Sequence, residues 1–225
     1  MVTAFPDGLA GDRGAAWNFG PCCVDGVDDV AFTMPMIDDI KQFICIDPAR
    51  IYAAGIYPGG GFSYYLACRA ADVFAAVAAS AFDLSAQTVT DCTPSRPITV
   101  VSFRTPDDPI MSWEGGTGSV FPEPLDFLGA EGTFDKWAEL DGCTGPTSTD
   151  GNNCQYAAQC DDDAEVLLCI GSGTDTRGDG DIVWSILKRH TLPSREGPSA
   201  PSGGIVMRSA KQWRLPLWQR YEHST

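Results

Sequence analysis

The turn at residues 55–60 is the place in this sequence where a side chain is best placed to do chemistry. It lies between a predicted strand at 50–55 and a predicted helix that starts in the glycines from Gly59. A sharp glycine-rich turn from a strand into a helix can present its tip residue as a nucleophile. Here the tip is Tyr57, and Pro58 follows it. A phenol is mostly protonated at neutral pH and proline has no backbone N–H, so neither residue is a usual catalytic group.

Other residues that could replace a nucleophile or a base are few. The sequence has 2 histidines, His190 and His223. His190 lies near the end of the last predicted helix, where the helix dipole explains a cationic residue without any catalysis. Ser63 follows Tyr57 within the next predicted helix, and we expect it to pack or cap there.

The 9 cysteines are dense for a reduced cytosolic protein of this size. Zinc binding is disfavoured because no C-x-x-C pair is present and only the two histidines offer nitrogen ligands. The stretch from Cys143 to Cys169 contains four cysteines among Gly, Asn, Asp and Thr, which is typical of an extracellular segment held by disulfides. Because 9 is odd, at least one thiol is expected to stay unpaired.

Composition bounds the remaining possibilities. With 225 residues, 44% of them hydrophobic, the chain is long enough for one sizeable core. The formal net charge of −15 repels a nucleic-acid backbone, so no nucleic-acid partner is expected. No run of 18 apolar residues suggests a membrane span, and the first residues lack the features of an export signal.

The order of predicted elements favours an α/β fold. A helix capped by Asp28 or Asp29 runs to about Ile44. Buried strands are predicted at 74–79, 97–103 and 165–170, and helices at 134–140 and from an Asp181 cap to about Arg189. A further short strand is predicted at 2–5. Strands that alternate with helices in this way predict a mostly parallel sheet covered by helices.

Several short motifs resemble one family of secreted esterases, the polyhydroxybutyrate depolymerases, feruloyl esterases and acetylxylan esterases of the α/β-hydrolase superfamily. The resemblance covers about residues 2–192. It rests on Phe5-Pro-Asp-Gly, Trp17-Asn, Cys22-Cys23, Val27-Asp-Asp-Val, Cys45-Ile-Asp-Pro-Ala-Arg-Ile-Tyr52, Leu66-Ala-Cys68 and Pro94-Ser-Arg-Pro97. It implies an α/β-hydrolase-like sheet, a Ser–Asp–His triad, and an ester-bearing polysaccharide or polyester as substrate or ligand.

The implied triad is degenerate at two of its three positions. The nucleophile position falls on Tyr57, and the position of the following N–H donor to the oxyanion falls on Pro58. The acid position matches Asp108 best, with Asp107 as the runner-up. The histidine position falls on Thr174, give or take one residue, in the turn after the strand at 165–170. We therefore expect catalysis to be impaired, because a hydroxyl nucleophile needs a base that titrates near neutrality.

The resemblance also implies a truncated start. In the family about three strands and an oxyanion loop come earlier, and one strand would lie between 2–5 and 50–55. An unfilled slot leaves unpaired backbone groups that cost about 1–3 kcal/mol each, so we expect marginal stability.

We expect a partial α/β-hydrolase-like domain at 1–193 and a separate tail at 194–225. The tail is basic and contains aromatic residues, and we expect it to be disordered. No cofactor or metal is expected. The leading functional hypothesis is an impaired or inactive carboxylic-ester hydrolase of an extracellular family. The alternatives are a non-catalytic module that binds a glycan, an aromatic acid or a polymer, and a gene fragment without function.

Overall fold

The structure of the protein is a computed structural model that describes residues 1–11, 14–118, 124–174 and 178–193. The tail predicted at 194–225 therefore lies outside the described residues.

A six-stranded sheet forms the centre of the fold, in the order β3-β4-β5-β10-β9-β8. Its first four members are parallel, and β9 and β8 add to them antiparallel. The sequence thus forms the mostly parallel α/β sheet that was predicted. The strands are β3 (Tyr52–Ile56), β4 (Ala76–Ser80), β5 (Thr99–Arg104), β8 (Ser148–Thr149), β9 (Cys154–Ala157) and β10 (Val166–Ile170).

Helices cover both faces of this sheet and create two hydrophobic clusters. They are α1 (Asp29–Phe43), α2 (Pro58–Arg69), α3 (Ala86–Thr90), α4 (Gly129–Leu140) and α5 (Gly180–Leu187). Side chains from α1, α2 and α4 share the larger cluster, whereas α5 contributes Ile186 and Leu187 to the second. Successive residues of β4 alternate between the clusters, with Val77 in one and Ala78 in the other. This alternation explains why these strands are apolar throughout.

Two small hairpins lie outside the central sheet, and one predicted strand is absent. The hairpins pair β1 (Leu9–Gly11) with β2 (Gly14–Ala16), and β6 (Gly116–Gly118) with β7 (Leu125–Phe127). Residues 1–8 form no strand, so the strand predicted at 2–5 is wrong. Residues 2–5 have strand propensity, but a strand also needs a hydrogen-bonded neighbour. β3, the end strand of the sheet, pairs with β4 alone among the described strands, so residues 2–5 do not extend the sheet.

Helix caps follow the sequence closely, with one correction. Asp28 caps α1, and its Oδ1 accepts a hydrogen bond from the Ala31 N–H at 2.8 Å. For α5 the cap is Asp179, whose Oδ1 accepts from the N–H of Asp181 at 2.8 Å and of Ile182 at 3.1 Å. The prediction of Asp181 as the cap is therefore wrong by two residues, because the helix starts at Gly180, two residues before the start that a cap at Asp181 implies.

Four disulfides join eight of the nine cysteines, and Cys45 is free and exposed. Two of them, Cys143–Cys160 and Cys154–Cys169, hold the segment that was predicted to be pinned in this way. The others are Cys22–Cys23 and Cys68–Cys92. Such a set is typical of proteins from oxidising compartments.

Candidate active site

Three turns meet where the parallel strands end, and they carry the residues that the sequence singled out. Tyr57 follows β3, Asp108 comes shortly after β5, and Thr174 comes shortly after β10. Hydrogen bonds join the turns through Ser80, the last residue of β4. Its carbonyl accepts from the Tyr57 N–H at 3.0 Å, and its hydroxyl accepts from the Gly178 N–H at 3.2 Å.

A second link joins the turn after β5 to the turn after β10. The Thr105 hydroxyl donates a short hydrogen bond to the carbonyl of Gly173. Since Thr105 precedes Asp108 and Gly173 precedes Thr174, these two predicted positions lie on loops that touch. The structure thus brings the three predicted positions to one end of the sheet, as the carboxyl ends of parallel strands generally do.

The turn after β3 has the strained backbone of a nucleophile elbow. Tyr57 has φ 52° and ψ −125°, a conformation that costs a non-glycine residue about 1–3 kcal/mol. Gly55 makes the turn possible, because a β-carbon there would overlap the carbonyl of Gly59. The chain therefore keeps the geometry that projects a tip residue, although that residue is a tyrosine.

Pro58 changes the chemistry of the same turn. It is the first residue of α2, a position where proline suits a helix because that N–H is free of intrahelical bonds. In an elbow, however, the N–H after the nucleophile is one of the donors that stabilise an oxyanion. Removal of one such donor costs about 10²–10³ in rate. Pro58 thus suits the start of α2, but it has no N–H that could stabilise an oxyanion.

Asp108 has the geometry of a carboxylate with one oxygen left for another partner. Its Oδ1 accepts from the N–H groups of Ile110 at 2.8 Å and Met111 at 2.9 Å. Its Oδ2 is buried and has no hydrogen-bond partner among the described residues. The neighbouring Asp107 is exposed. The geometry favours Asp108 over the runner-up, because its orientation is fixed and its second oxygen is unused.

Thr174 occupies the predicted histidine position as an exposed residue at the end of a described segment. Residues 175–177 lie outside the described residues. A threonine hydroxyl is no general base near neutrality, so the residues described in this turn offer none.

His190 lies at the opposite end of the sheet from Tyr57. Its Nδ1 is 3.1 Å from the hydroxyl of Thr99, the first residue of β5, and its Nε2 is 2.9 Å from Oε2 of Glu165, which precedes β10. A strand the length of β5 spans about 17 Å, which places His190 far beyond hydrogen-bond reach of the elbow. His223 lies outside the described residues.

Ser63 is a buried residue within α2, and its hydroxyl donates to the carbonyl of Gly59 at 3.0 Å. This hydrogen bond is local to the helix. Ser63 packs as predicted, and its hydroxyl is already engaged.

Sequence reasoning missed a buried ion pair behind the three turns. Arg104, the last residue of β5, donates a short hydrogen bond to Oδ2 of Asp83, and both side chains are inaccessible to solvent. The same guanidinium donates to the carbonyl of Met111 at 2.6 Å and thereby holds the loop that carries Asp108. Burial raises the pKa of Asp83 to about 6, against the opposing effect of Arg104. The sequence separation of 21 residues gave no local signal of this pair.

Two classes of feature are absent from the part of the chain that the structure describes. No group of three or more His, Cys, Asp or Glu side chains is arranged to hold a metal ion. No helix within those segments has the length and apolar character needed to cross a membrane.

Known proteins similar to this chain are esterases. Feruloyl esterase B of Piromyces equi is 44% identical over 198 residues, which cover 85% of this chain and 37% of that protein. A probable feruloyl esterase C of Aspergillus niger is 28% identical over 131 residues, or 54% of this chain and 47% of that protein. The chain thus spans less than half the length of these relatives.

The solved structure of a thermostable esterase has 15% identity and a TM-score of 0.44, covering 72% of this chain and 36% of that one. No family model matches the sequence.

Proposed function

We propose that this chain, which belongs to an esterase family of the α/β-hydrolase type, is a carboxylic-ester hydrolase homologue with impaired catalysis. The observation that carries the proposal is the elbow itself. Its backbone is strained as a nucleophile requires, yet its tip is Tyr57 and the donor position after it is Pro58. The turn thus has the backbone conformation of an elbow but lacks a serine nucleophile at the tip and an N–H donor after it.

The expected ligands are esters of aromatic acids, such as feruloyl esters on a polysaccharide. This rests on the relatives, several of which are named as feruloyl esterases. Polyesters are a second expected class of ligand. An extracellular location is the matching expectation, since four disulfides are stable in an oxidising compartment.

A second candidate is a module that binds the ester or its acid without cleaving it. It is favoured by a recess of about 100 Å³ beside Asp108, lined by Ile110, Met111, Ser112, Gly115–Gly118 and Phe127. The recess is smaller than most small-molecule sites, so it suits only part of a ligand, such as the edge of an aromatic ring against Ile110, Met111 and Phe127. Saturable binding of methyl ferulate or ferulate with no product would support this role.

The decisive experiment measures hydrolysis of p-nitrophenyl acetate, p-nitrophenyl butyrate and methyl ferulate by the purified chain. Two variants accompany it: Tyr57→Ser with Pro58→Asn, and the same pair with Thr174→His. We expect the unaltered chain to match the buffer rate. The triple variant is expected to exceed the double variant, because only it supplies a base on the loop that touches the Asp108 loop.

Folding is checked in parallel by circular dichroism, so that an inactive variant is not an unfolded one. Turnover by the unaltered chain that a serine-directed phosphonate abolishes would overturn the proposal, because a displaced serine would then be acting. Equal rates for the folded double and triple variants would contradict the assignment of Thr174 and Asp108.

A further inference from the structure

A large cavity lies along β3, away from the tip of the elbow. It has a volume of about 850 Å³ and is walled by residues 1–6, by α1, by residues 50–54 of the β3 region, and by parts of α2 and α5. At about 3.3 Å per residue, the wall formed by residues 50–54 alone is about 13 Å long. The size falls within the range of small-molecule sites in proteins.

The body of the cavity is apolar. Its lining includes Ile37, Ile40, Ile51, Phe62, Leu66 and Phe74. Four residues with hydroxyl groups also line it, namely Thr3, Thr33, Tyr52 and Ser63. The last three hydroxyls are already engaged within the protein, and that of Tyr52 donates to the His190 carbonyl at 2.8 Å. Thr33 donates to the carbonyl of Asp29 at 2.7 Å, and Ser63 donates to the carbonyl of Gly59 at 3.0 Å. The central walls therefore suit a chain of methylene groups.

The charged side chains of the lining lie at one end, at the start of β3. Arg50 and Lys188 line the cavity there together with a single carboxylate, Asp47. Arg50 donates to the backbone carbonyl of Lys188 at 3.0 Å, which holds the two residues next to each other, and its Nε is 3.5 Å from Oδ2 of Asp47. No carboxylate of the described residues lies within ion-pair distance of the Lys188 ammonium.

This arrangement is unusual for a chain whose formal net charge is −15. Two cations against one anion leave a local excess of positive charge at the end of an apolar cavity. Charge complementarity therefore favours a ligand that has an anionic head group and an apolar body. Because one of the two cations, Lys188, has no carboxylate partner among the described residues, a ligand with a single negative charge is expected.

We propose that the cavity binds a long-chain monocarboxylate of the fatty-acid type. The carboxylate lies against Lys188 and Arg50, and the chain runs along β3 between α1 and α2. Neither Tyr57 nor Asp108 lines the cavity, although Gly59 of the elbow turn does. The inference stands whether or not the elbow hydrolyses esters.

The test uses dodecanoate as the probe and dodecanol as its uncharged match, both below their aggregation limits. Binding is followed by calorimetry and by the fluorescence of Trp17 and Trp184, which line the cavity. Cys45, the free cysteine, also lines it, so its rate of alkylation gives an independent readout. We expect saturable binding of dodecanoate and slower alkylation of Cys45 in its presence.

Variants then separate the head group from the body. Lys188→Gln is expected to weaken dodecanoate binding about tenfold while changing dodecanol binding less than about twofold, and Lys188→Arg is expected to retain the affinity. Met36→Trp narrows the cavity and is expected to weaken both ligands. Lys136→Gln, on the surface of α4, is the control and is expected to change neither.

Three results would overturn the proposal. The first is the absence of saturable dodecanoate binding by the folded protein. The second is equal affinity for dodecanoate and dodecanol, unchanged by Lys188→Gln. The third is concentration-dependent self-association, seen by light scattering, that slows Cys45 alkylation and that dodecanoate does not reverse. In that case a second copy of the chain, adding to the open side of β3, would be the occupant.

Discussion

The two ends of the central sheet hold complementary halves of what a hydrolase needs. At the carboxyl ends of the strands lie the elbow at Tyr57 and the half-used carboxylate of Asp108, with no histidine among the described residues there. At the amino ends, the Thr99 hydroxyl contacts the His190 imidazole, and the imidazole in turn contacts the Glu165 carboxylate. Among the described residues, neither end has all the groups that a catalytic triad and its oxyanion hole need.

The comparison teaches that residue types in contact do not make a catalytic relay. Thr99 is only 2% exposed, and its hydroxyl also accepts from the Glu165 N–H at 2.9 Å. It has neither an elbow backbone nor access to a substrate. Around it, the Tyr52 hydroxyl donates to the His190 carbonyl at 2.8 Å, so the cluster fastens the segment after α5 to the sheet. The two ends therefore differ in the backbone geometry and the accessibility of their polar groups.

The largest expected effect is on the buried pair at the carboxyl ends. Arg104→Met leaves Asp83 buried without its partner, which costs about 3–5 kcal/mol of unfolding free energy in such pairs. Urea denaturation at pH 7 measures it. The double variant Asp83→Leu with Arg104→Met is expected to recover a large part of the loss, because no charge then remains buried. A loss below about 1 kcal/mol for Arg104→Met would mean that the pair does not anchor this end.

The second effect is a pH dependence at the amino ends. Asp141 is buried, and its Oδ1 accepts from the Ile98 N–H at 3.0 Å, next to Thr99. Burial raises the pKa of Asp141 to about 7, from an ordinary value of 3.8. Because the folded state holds this proton more tightly, the stability it contributes is fully present below about pH 4 and is lost as the pH rises through about 7.

Asp141→Asn isolates this contribution because it keeps an acceptor for Ile98 and removes the titration. Relative to that variant, the unaltered chain is expected to lose about 2–4 kcal/mol of stability between pH 5 and pH 8. Denaturant midpoints at several pH values measure the difference. Parallel profiles for the two proteins would show that Asp141 does not titrate in this range.

The third and smaller effect tests whether His190 has a structural role or a catalytic one. His190→Ala removes its contacts with Thr99 and Glu165 and is expected to cost about 1–2 kcal/mol of stability. Any ester hydrolysis measured for the elbow variants is expected to stay unchanged. If hydrolysis fell while stability did not, the comparison of the two ends would fail.

The smallest effect concerns acid stability of the same cluster. The hydrogen bond from His190 holds the pKa of Glu165 below its ordinary value of 4.5, and Arg189 adds to this. The resulting stability is present above about pH 4.5 and is lost as the pH falls below it. Since the side chain is 41% exposed, solvent screening limits the contribution to about 0.5 kcal/mol. Glu165→Gln is expected to flatten the fall in thermal midpoint between pH 6 and pH 3.5, and an unchanged slope would exclude this role.

Elements with strong periodic patterns were predictable from the sequence. The helix at Asp29–Phe43 and the apolar strands β4, β5 and β10 occur within a few residues of their expected bounds. Short elements were not predictable, because strands of two to four residues such as β8 and β9 exist only through their antiparallel neighbours. The pairing of the cysteines was equally beyond sequence reasoning, since it depends on which loops the fold brings together.

The candidate site shows the same division. The elbow was predictable because glycine spacing between a strand and a helix is a local signal. The preference for Asp108 over Asp107 needed the structure, since only burial and the turn hydrogen bonds distinguish adjacent carboxylates. Whether Tyr57, Asp108 and Thr174 form a working or a silent site stays a prediction.

By itself the sequence determined the alternation of strands and helices, the strained turn at Tyr57, the scarcity of histidine and the odd number of cysteines. These follow from local properties: propensity, periodicity, glycine placement and composition. Tertiary structure alone decided that His190 lies at the far end of the sheet, that Arg104 meets Asp83, and that an apolar cavity ends at Lys188. Each of these depends on contacts between residues distant along the chain, and such contacts leave no trace in any single stretch of sequence.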